Sequence, residues 1–220
     1  MNVQTQLSRQ IDTQASVLTA GQPLERAQLA MILLHGRGGS AESMLPLADE
    51  LAHPHMAYLA PQAEGNSWYP YSFLAPMDRN EPELSAALAS VSAVLDHLQA
   101  AGIPPARTIL LGFSQGACLA LEYAARHTRR YGGLVGLSGG LIGPEGTPRD
   151  YDGSLSGTPA FLGCSDIDPH IPMDRVLESA DVLRYMGARV TMRLYPGMGH
   201  TVNSDELDAV RRMLRSLPAG

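Results

Sequence analysis

Ser114 sits at the centre of Gly112-Phe113-Ser114-Gln115-Gly116, a setting that fits a nucleophile. The preceding Thr108-Ile109-Leu110-Leu111 reads as a buried strand, and Ala117 to Ala125 reads as a helix. A strand that turns into a helix through G-x-S-x-G is a nucleophile elbow. The turn strains the serine backbone, and glycines two residues to either side avoid clashes with neighbouring elements. The hydroxyl is lifted to the carboxyl edge of the sheet, with a helix N-terminus aimed at it. The plainer reading is a glycine-flanked turn without chemistry, and the strand before it and the helix after it weigh against that.

A serine hydroxyl is a poor nucleophile at neutral pH and needs a base, which in turn needs a group to orient it. Around such an elbow the chain order is Ser, then Asp or Glu, then His. Of the seven histidines, His35, His53, His55 and His97 precede Ser114, His127 ends the helix after it, and His170 precedes the last strand. His200, in Tyr195-Pro196-Gly197-Met198-Gly199-His200, follows the last strand and is the candidate base. For the acid, an apolar run over 159–164 leads into Ser165-Asp166-Ile167-Asp168-Pro169-His170-Ile171-Pro172. Spacing leaves Asp166 and Asp168 both open, and Asp166 could instead hold loop amides.

Acyl chemistry also needs two backbone N–H groups aimed at the developing oxyanion. One belongs to the residue after the nucleophile, Gln115. The other is expected from Leu34-His35-Gly36-Arg37-Gly38-Gly39-Ser40, as the Arg37 amide, with the Arg37 side chain a bystander or rim charge. The same loop offers a rival reading, because Gly36-Arg37-Gly38-Gly39-Ser40-Ala41 matches G-x-G-x-x-G/A, the dinucleotide fingerprint. That motif expects an acidic residue at the end of the second strand, where this chain has Ala60-Pro61-Gln62-Ala63. It also leaves Ser114, Asp168 and His200 unused. Trp68, Tyr69, Tyr71 and Phe73 crowd into a proline-flanked loop that reads either as a core patch or as a substrate wall, extended by Leu74 and Met77.

These groups need a scaffold. Strands are expected at 28–34, 56–60, 107–113, 133–138, 159–164 and 189–195, most of them near-continuous apolar runs suited to a sheet covered on both faces. Helices are expected at 40–52, 81–101, 115–127, 173–187 and 203–216. The alternation predicts a mostly parallel, doubly wound α/β sheet in a single domain over 1–220, with 1–27 an N-terminal extension or an edge strand near Ala15 to Ala20. The Gly/Pro-rich stretch 139–157 is long for a loop in a compact domain, which points to a functional or mobile segment.

With a net charge of −6 and scattered basic residues, the chain is a poor nucleic-acid binder. Cys118 and Cys164 sit in apolar elements and read as buried free thiols rather than a disulfide or metal site. Met1 to Ala20 lacks a secretory pattern and no apolar run is long enough to span a bilayer, so a cytoplasmic location without stable membrane insertion is expected.

Taken together, the chain resembles the phospholipase/carboxylesterase family of α/β-hydrolases, which includes acyl-protein thioesterases and small bacterial carboxylesterases. The resemblance covers about 28–216. It rests on His35-Gly36-Arg37-Gly38-Gly39, Ala60-Pro61-Gln62 with Trp68-Tyr69, and Leu111-Gly112-Phe113-Ser114-Gln115-Gly116. It rests also on Leu137-Ser138-Gly139-Gly140, Asp168-Pro169-His170-Ile171-Pro172 and Gly197-Met198-Gly199-His200. It implies an α/β-hydrolase fold without a separate cap domain, and no metal or organic cofactor. It implies Ser114, Asp168 and His200 as triad, choosing Asp168 by its D-P-x-[VI]-P context, with oxyanion donors at the Arg37 and Gln115 amides. Trp68, Tyr69, Phe73 and Leu74 are the candidate substrate contacts. The implied partner is a small-molecule ester, and a homodimer is compatible with the pattern. The H-G-R-G-G loop departs from the H-G-L-G-D typical of eukaryotic thioesterase members and is closer to bacterial carboxylesterases.

Overall fold

A computed structural model describes residues 16–217. Seven strands form one sheet: β1 (Val17–Gly21), β2 (Leu29–Leu34), β3 (Met56–Pro61), β4 (Thr108–Phe113), β5 (Gly133–Leu137), β6 (Pro159–Ser165) and β7 (Arg189–Tyr195). Their spatial order is β1-β3-β2-β4-β5-β6-β7. Only β1 is antiparallel, pairing with β3 from Val17 opposite Pro61 to Gly21 opposite Ala57. This is the edge strand foreseen near Ala15 to Ala20; residues 1–15 lie outside the described part.

The central strands are apolar on both faces because both faces are covered. Along β2, Ala30, Ile32 and Leu34 point into one core while Leu29, Met31 and Leu33 point into the other. Helices α1 (Ala41–Glu50) and α5 (Ser204–Arg215) cover the second face through Met44, Ala48, Val210 and Leu214. Helices α2 (Glu83–Ala100), α3 (Gln115–Arg126) and α4 (Met173–Tyr185) cover the first. The apolar stripe of α2 (Leu84, Leu88, Val91, Leu95, Leu98) recurs at three- and four-residue steps, the spacing that keeps side chains on one helix face. This strand order, with helices on both faces, is that of the α/β-hydrolase fold, and among the described residues no cap domain lies over the sheet.

Topology gathers the candidate residues. Strands β2 to β7 run parallel, so the loops after β2, β4, β6 and β7 leave from one sheet edge. The helices following neighbours β2 and β4 go to opposite faces, which opens a crevice at that edge, the usual ligand position in such sheets. The candidate oxyanion loop leaves β2 and the candidate nucleophile leaves β4 on either side of that crevice. Strands β6 and β7 bring Asp168 and His200 alongside.

The 139–157 stretch is packed rather than detached: Leu141, Ile142 and Leu155 are buried. Glu122 of α3, itself buried, accepts from the Ile142 amide (3.0 Å) and the Tyr151 hydroxyl (3.0 Å) and pairs with Arg126 (2.7 Å). Arg149 reaches Ile142 O at 2.6 Å and Glu178 at 2.9 Å, and Arg175 donates to Leu141 O at 2.9 Å.

Candidate active site

Ser114 occupies the turn between β4 and α3 at φ 54°, ψ −119°, a backbone strained for a residue with a side chain. Its amide is held by Leu137 O at 2.9 Å and its carbonyl by the Cys118 amide at 3.0 Å. The flanking glycines are required by close approach. A Cβ at Gly116 would collide with the Leu34 and His35 carbonyls, and one at Gly112 would collide with the Gly116 carbonyl. Ser114 is half-buried, so its hydroxyl can be reached from outside.

His200 lies in the loop after β7. Its Nε2 is 2.9 Å from Ser114 Oγ and its Nδ1 is 2.7 Å from Asp168 Oδ2. The other Asp168 oxygen accepts from the amides of His170 (2.8 Å) and Ile171 (3.0 Å). Burial works to raise the Asp168 pKa, but hydrogen bonds from His200 and those two amides outweigh it, and the carboxyl is held below its ordinary value. An ionised Asp168 accepts only, so His200 carries its proton on Nδ1 and offers the Nε2 lone pair to Ser114. The imidazole is flanked by Phe113 (ring centroids 5.0 Å apart) and by His170 (4.8 Å, edge-on).

Asp166 is placed elsewhere. Its Oδ1 accepts from the Gly197 amide at 2.9 Å, and Ser165 Oγ accepts from the Gly199 amide at 3.1 Å, so both pin the loop that carries His200. Cys164 stands behind Asp168, its sulfur 3.7 Å from Oδ2. Burial, with Asp168 adding to it, pushes the Cys164 thiol up to about 12, so it remains protonated. Both cysteines are free and buried.

The loop after β2 runs against the elbow: a Cβ built on Gly36 would sit 3.2 Å from Ser114 Cβ. Among the described residues, neither the Arg37 nor the Gln115 backbone N–H donates to a protein acceptor. His35, fully buried, accepts at Nε2 from the Ala63 amide (3.1 Å) and contacts Gly36 O through Nδ1 at 2.8 Å. An amide can only donate, so His35 is the Nδ1–H tautomer. Burial lowers its pKa, against the opposing Gly36 hydrogen bond, and keeps it neutral.

The nucleotide alternative fails on local geometry. The Ala41 amide at the start of α1 is taken by Gln62 Oε1 (2.8 Å), and Ser40 and Ser43 form a capping box. The Gly38, Gly39, Ser40 and Ala41 amides, four of those that a pyrophosphate would use, are occupied by protein acceptors.

The aromatic loop divides. Trp68, Tyr69 and Phe73 are 4%, 1% and 6% exposed, so they belong to the core and do not form an open wall, while Tyr71 is 46% exposed and Leu74 half-buried. Burial wins because the loop is tied down: Trp68 Nε1 donates to His35 O (2.8 Å) and the Gly143 amide donates to Phe73 O (2.7 Å). The Arg37 side chain is also not a bystander, donating to Ser67 Oγ (3.0 Å), Pro70 O (2.8 Å) and Tyr71 O. Two exposed apolar residues were not singled out from sequence: Ile167 and Met173, on either side of the Asp168–Pro172 loop. Among the described residues, no helix is long and apolar enough to cross a membrane.

Comparison with known proteins gives the family. The phospholipase/carboxylesterase profile matches residues 16–217. A crystal structure of a phospholipase/carboxylesterase from Dyadobacter fermentans is 44% identical, covers 97% of this chain and 100% of that one, and superposes with a TM-score of 0.87. The acyl-protein thioesterase 1 of Gibberella zeae is 36% identical over 119 residues, 52% of this chain and 49% of that protein. Its Neurospora crassa counterpart is 32% identical over 143 residues, 62% of this chain and 57% of that protein. The chain thus spans about half the length of these two relatives. With the profile matched from the first sheet strand to the end of α5, and the fold shared along nearly the whole chain, the protein belongs to the phospholipase/carboxylesterase family of α/β-hydrolases.

Proposed function

We propose that the protein is a serine carboxylesterase that hydrolyses small to medium acyl esters through an acyl-enzyme intermediate. The observation that carries this reading is the unbroken hydrogen-bond chain from Asp168 through His200 to Ser114. Ser114 Oγ bonds to the ester carbonyl carbon while its proton passes to His200 Nε2, and the carbonyl electrons collect on the oxygen facing the Arg37 and Gln115 amides. When the tetrahedral intermediate collapses, the bond to the alkoxy oxygen breaks, and His200 gives that oxygen its proton. Water then attacks the acyl-Ser114 carbonyl, losing a proton to His200, and release of the carboxylic acid returns that proton to Ser114. Asp168 stays ionised, fixing the ring tautomer and stabilising the transient imidazolium. No step calls for a metal or organic cofactor.

The exposed Ile167 and Met173 beside the Asp168 loop, with Leu74 and Tyr71 on the aromatic segment, supply apolar surface for an acyl group. Trp68, Tyr69 and Phe73 support that segment from beneath. We assign the activity to one domain acting in the cytoplasm on a small-molecule ester, without nucleic acid or stable membrane insertion.

A second reading, an acyl thioesterase or lysophospholipase with the same residues, is favoured by the likeness to acyl-protein thioesterases. Matched oxygen esters and thioesters of rising acyl length separate the two. The ester reading expects the highest kcat/KM on short and medium oxygen esters. A preference for long chains with detergent-like heads, or for thioesters, would overturn it.

A further inference from the structure

The two residues assigned as oxyanion donors belong to different elements, Arg37 to the turn after β2 and Gln115 to the first turn of α3. Their side chains nevertheless converge on one segment, Ser67 to Tyr71. Arg37 donates to Ser67 Oγ, Pro70 O and Tyr71 O. Gln115 Oε1 accepts from the Trp68 amide at 2.9 Å, and its Nε2 donates to Tyr69 O at 2.8 Å. The Ser67 hydroxyl touches both, 3.0 Å from Arg37 Nη1 and 3.4 Å from Gln115 Oε1. Each residue from 67 to 71 is therefore bonded to one of the two.

The segment is itself immobilised. Trp68 and Tyr69 are buried, Trp68 Nε1 is held by His35 O, and the Tyr71 amide is held by buried Asn80 at 2.9 Å. The Arg37 turn has glycines on both sides, with Gly38 at φ +74°. An oxyanion donor is effective only when placed before the reaction, because donors that must reorganise lose their advantage. The Gln115 amide is fixed by its helix, whereas the Arg37 amide lies in a short turn held by Gly38 N to Asn66 O (2.7 Å) and Gly39 N to Gly36 O (3.0 Å), to which the Arg37 side chain adds a tie to segment 67–71.

We infer that the Arg37 and Gln115 side chains are positioning groups for the oxyanion hole. Through segment 67–71 they set the spacing between their own two backbone amides. The inference rests on the reading of Ser114 as nucleophile and of these amides as donors. For Arg37 this task is separate from holding the core, since the residue is exposed and removing its guanidinium leaves no cavity, whereas Gln115 is buried.

The test uses the full chain, with Arg37→Met, Arg37→Lys and Gln115→Glu, a short p-nitrophenyl ester, and a trifluoromethyl ketone of the same acyl group. Attack by Ser114 on the ketone forms an oxyanion adduct without a leaving group, so its inhibition constant reads the hole directly. Because a misplacement of about 1 Å costs on the order of 10²-fold, kcat should fall about 10- to 100-fold in Arg37→Met. KM should stay within about twofold, and the ketone's inhibition constant should rise by the factor lost in kcat/KM. Arg37→Lys should recover part of both, and Gln115→Glu, which keeps the acceptor for Trp68 but loses the donor to Tyr69, should fall between. Wild-type kcat in Arg37→Met, or a kcat loss with an unchanged ketone constant, would overturn the inference. A wild-type protein that takes no fluorophosphonate label at Ser114 would instead remove the underlying reading. Labelled wild type with unaffected variants removes the inference alone.

Discussion

His200 Nδ1 lies 2.7 Å from Asp168 Oδ2, while the other oxygen of that carboxylate is held by two backbone amides. The carboxylate therefore has no freedom to turn from the imidazole, and the imidazole has one tautomer that suits both neighbours. Asp166, only two positions away, faces the Gly197 amide instead.

That difference separates two conservative substitutions. Asp168→Asn presents an amide where a carboxylate stood and disfavours the Nδ1–H tautomer, so kcat should fall on the order of 10⁴-fold with KM little changed. Asp166→Asn keeps an acceptor oxygen for Gly197 and should lose less than about tenfold. Steady-state kinetics of both variants check this, and equal losses would place the acid elsewhere.

Glu206 makes stability depend on pH. Its side chain is buried beside Gly163, and Oε2 caps the Asn203 amide at 2.8 Å, while Oε1 has no partner among the described residues. Burial raises its pKa from 4.5 to about 7, against the opposing Asn203 hydrogen bond. The folded state thus keeps a proton that the unfolded chain releases above its own lower pKa. Glu206's contribution is therefore most favourable below that value and is lost progressively as pH rises towards about 7. Glu206→Gln retains the cap without the titration. The Tm difference, variant minus wild type, should grow from about pH 5 to about pH 8 by thermal unfolding. A constant difference would show that Glu206 does not titrate in this range.

Glu122 should matter to the 139–151 stretch more than a helix glutamate ordinarily does. Glu122→Ala strips the acceptor from the Ile142 amide and the Tyr151 hydroxyl and leaves Arg126 without its partner. Unsatisfied buried donors cost about 1–3 kcal/mol each, so a loss of roughly 3 kcal/mol is expected in denaturant unfolding. Hydrogen exchange should quicken in 139–151 ahead of the sheet. A change within about 0.5 kcal/mol would mean that water replaces the carboxylate readily.

Much of this architecture was legible from sequence because burial on both sheet faces writes itself as apolar runs: Leu29–Leu34 and Thr108–Leu111 could hardly be anything but central strands. That Ser114 and His200 come together was legible for a related reason, since strand order dictates which loops share an edge. The choice of Asp168 over Asp166 was not legible from spacing, because either aspartate leaves the same strand; the resemblance chose Asp168 from the surrounding prolines. The side-chain bonds of Arg37, Gln115, Gln62 and Glu122 were illegible for a deeper reason. Their partners include backbone amides and carbonyls of distant segments, and every residue but proline offers the same backbone groups. The aromatic loop was ambiguous because a core face and a substrate wall demand the same apolar side chains, and only the anchoring of Trp68 to His35 O and of Phe73 O to Gly143 tips them inward.

Everything proposed for this site depends on the Ser114 hydroxyl forming the bond to the acyl carbon. The most direct test is kcat of Ser114→Ala beside wild type on a short p-nitrophenyl ester, with both proteins shown to be folded by circular dichroism. Activity should fall about 10⁵- to 10⁶-fold, leaving only what the oxyanion hole and binding provide. A variant that turns over within about tenfold of wild type would contradict that role for Ser114.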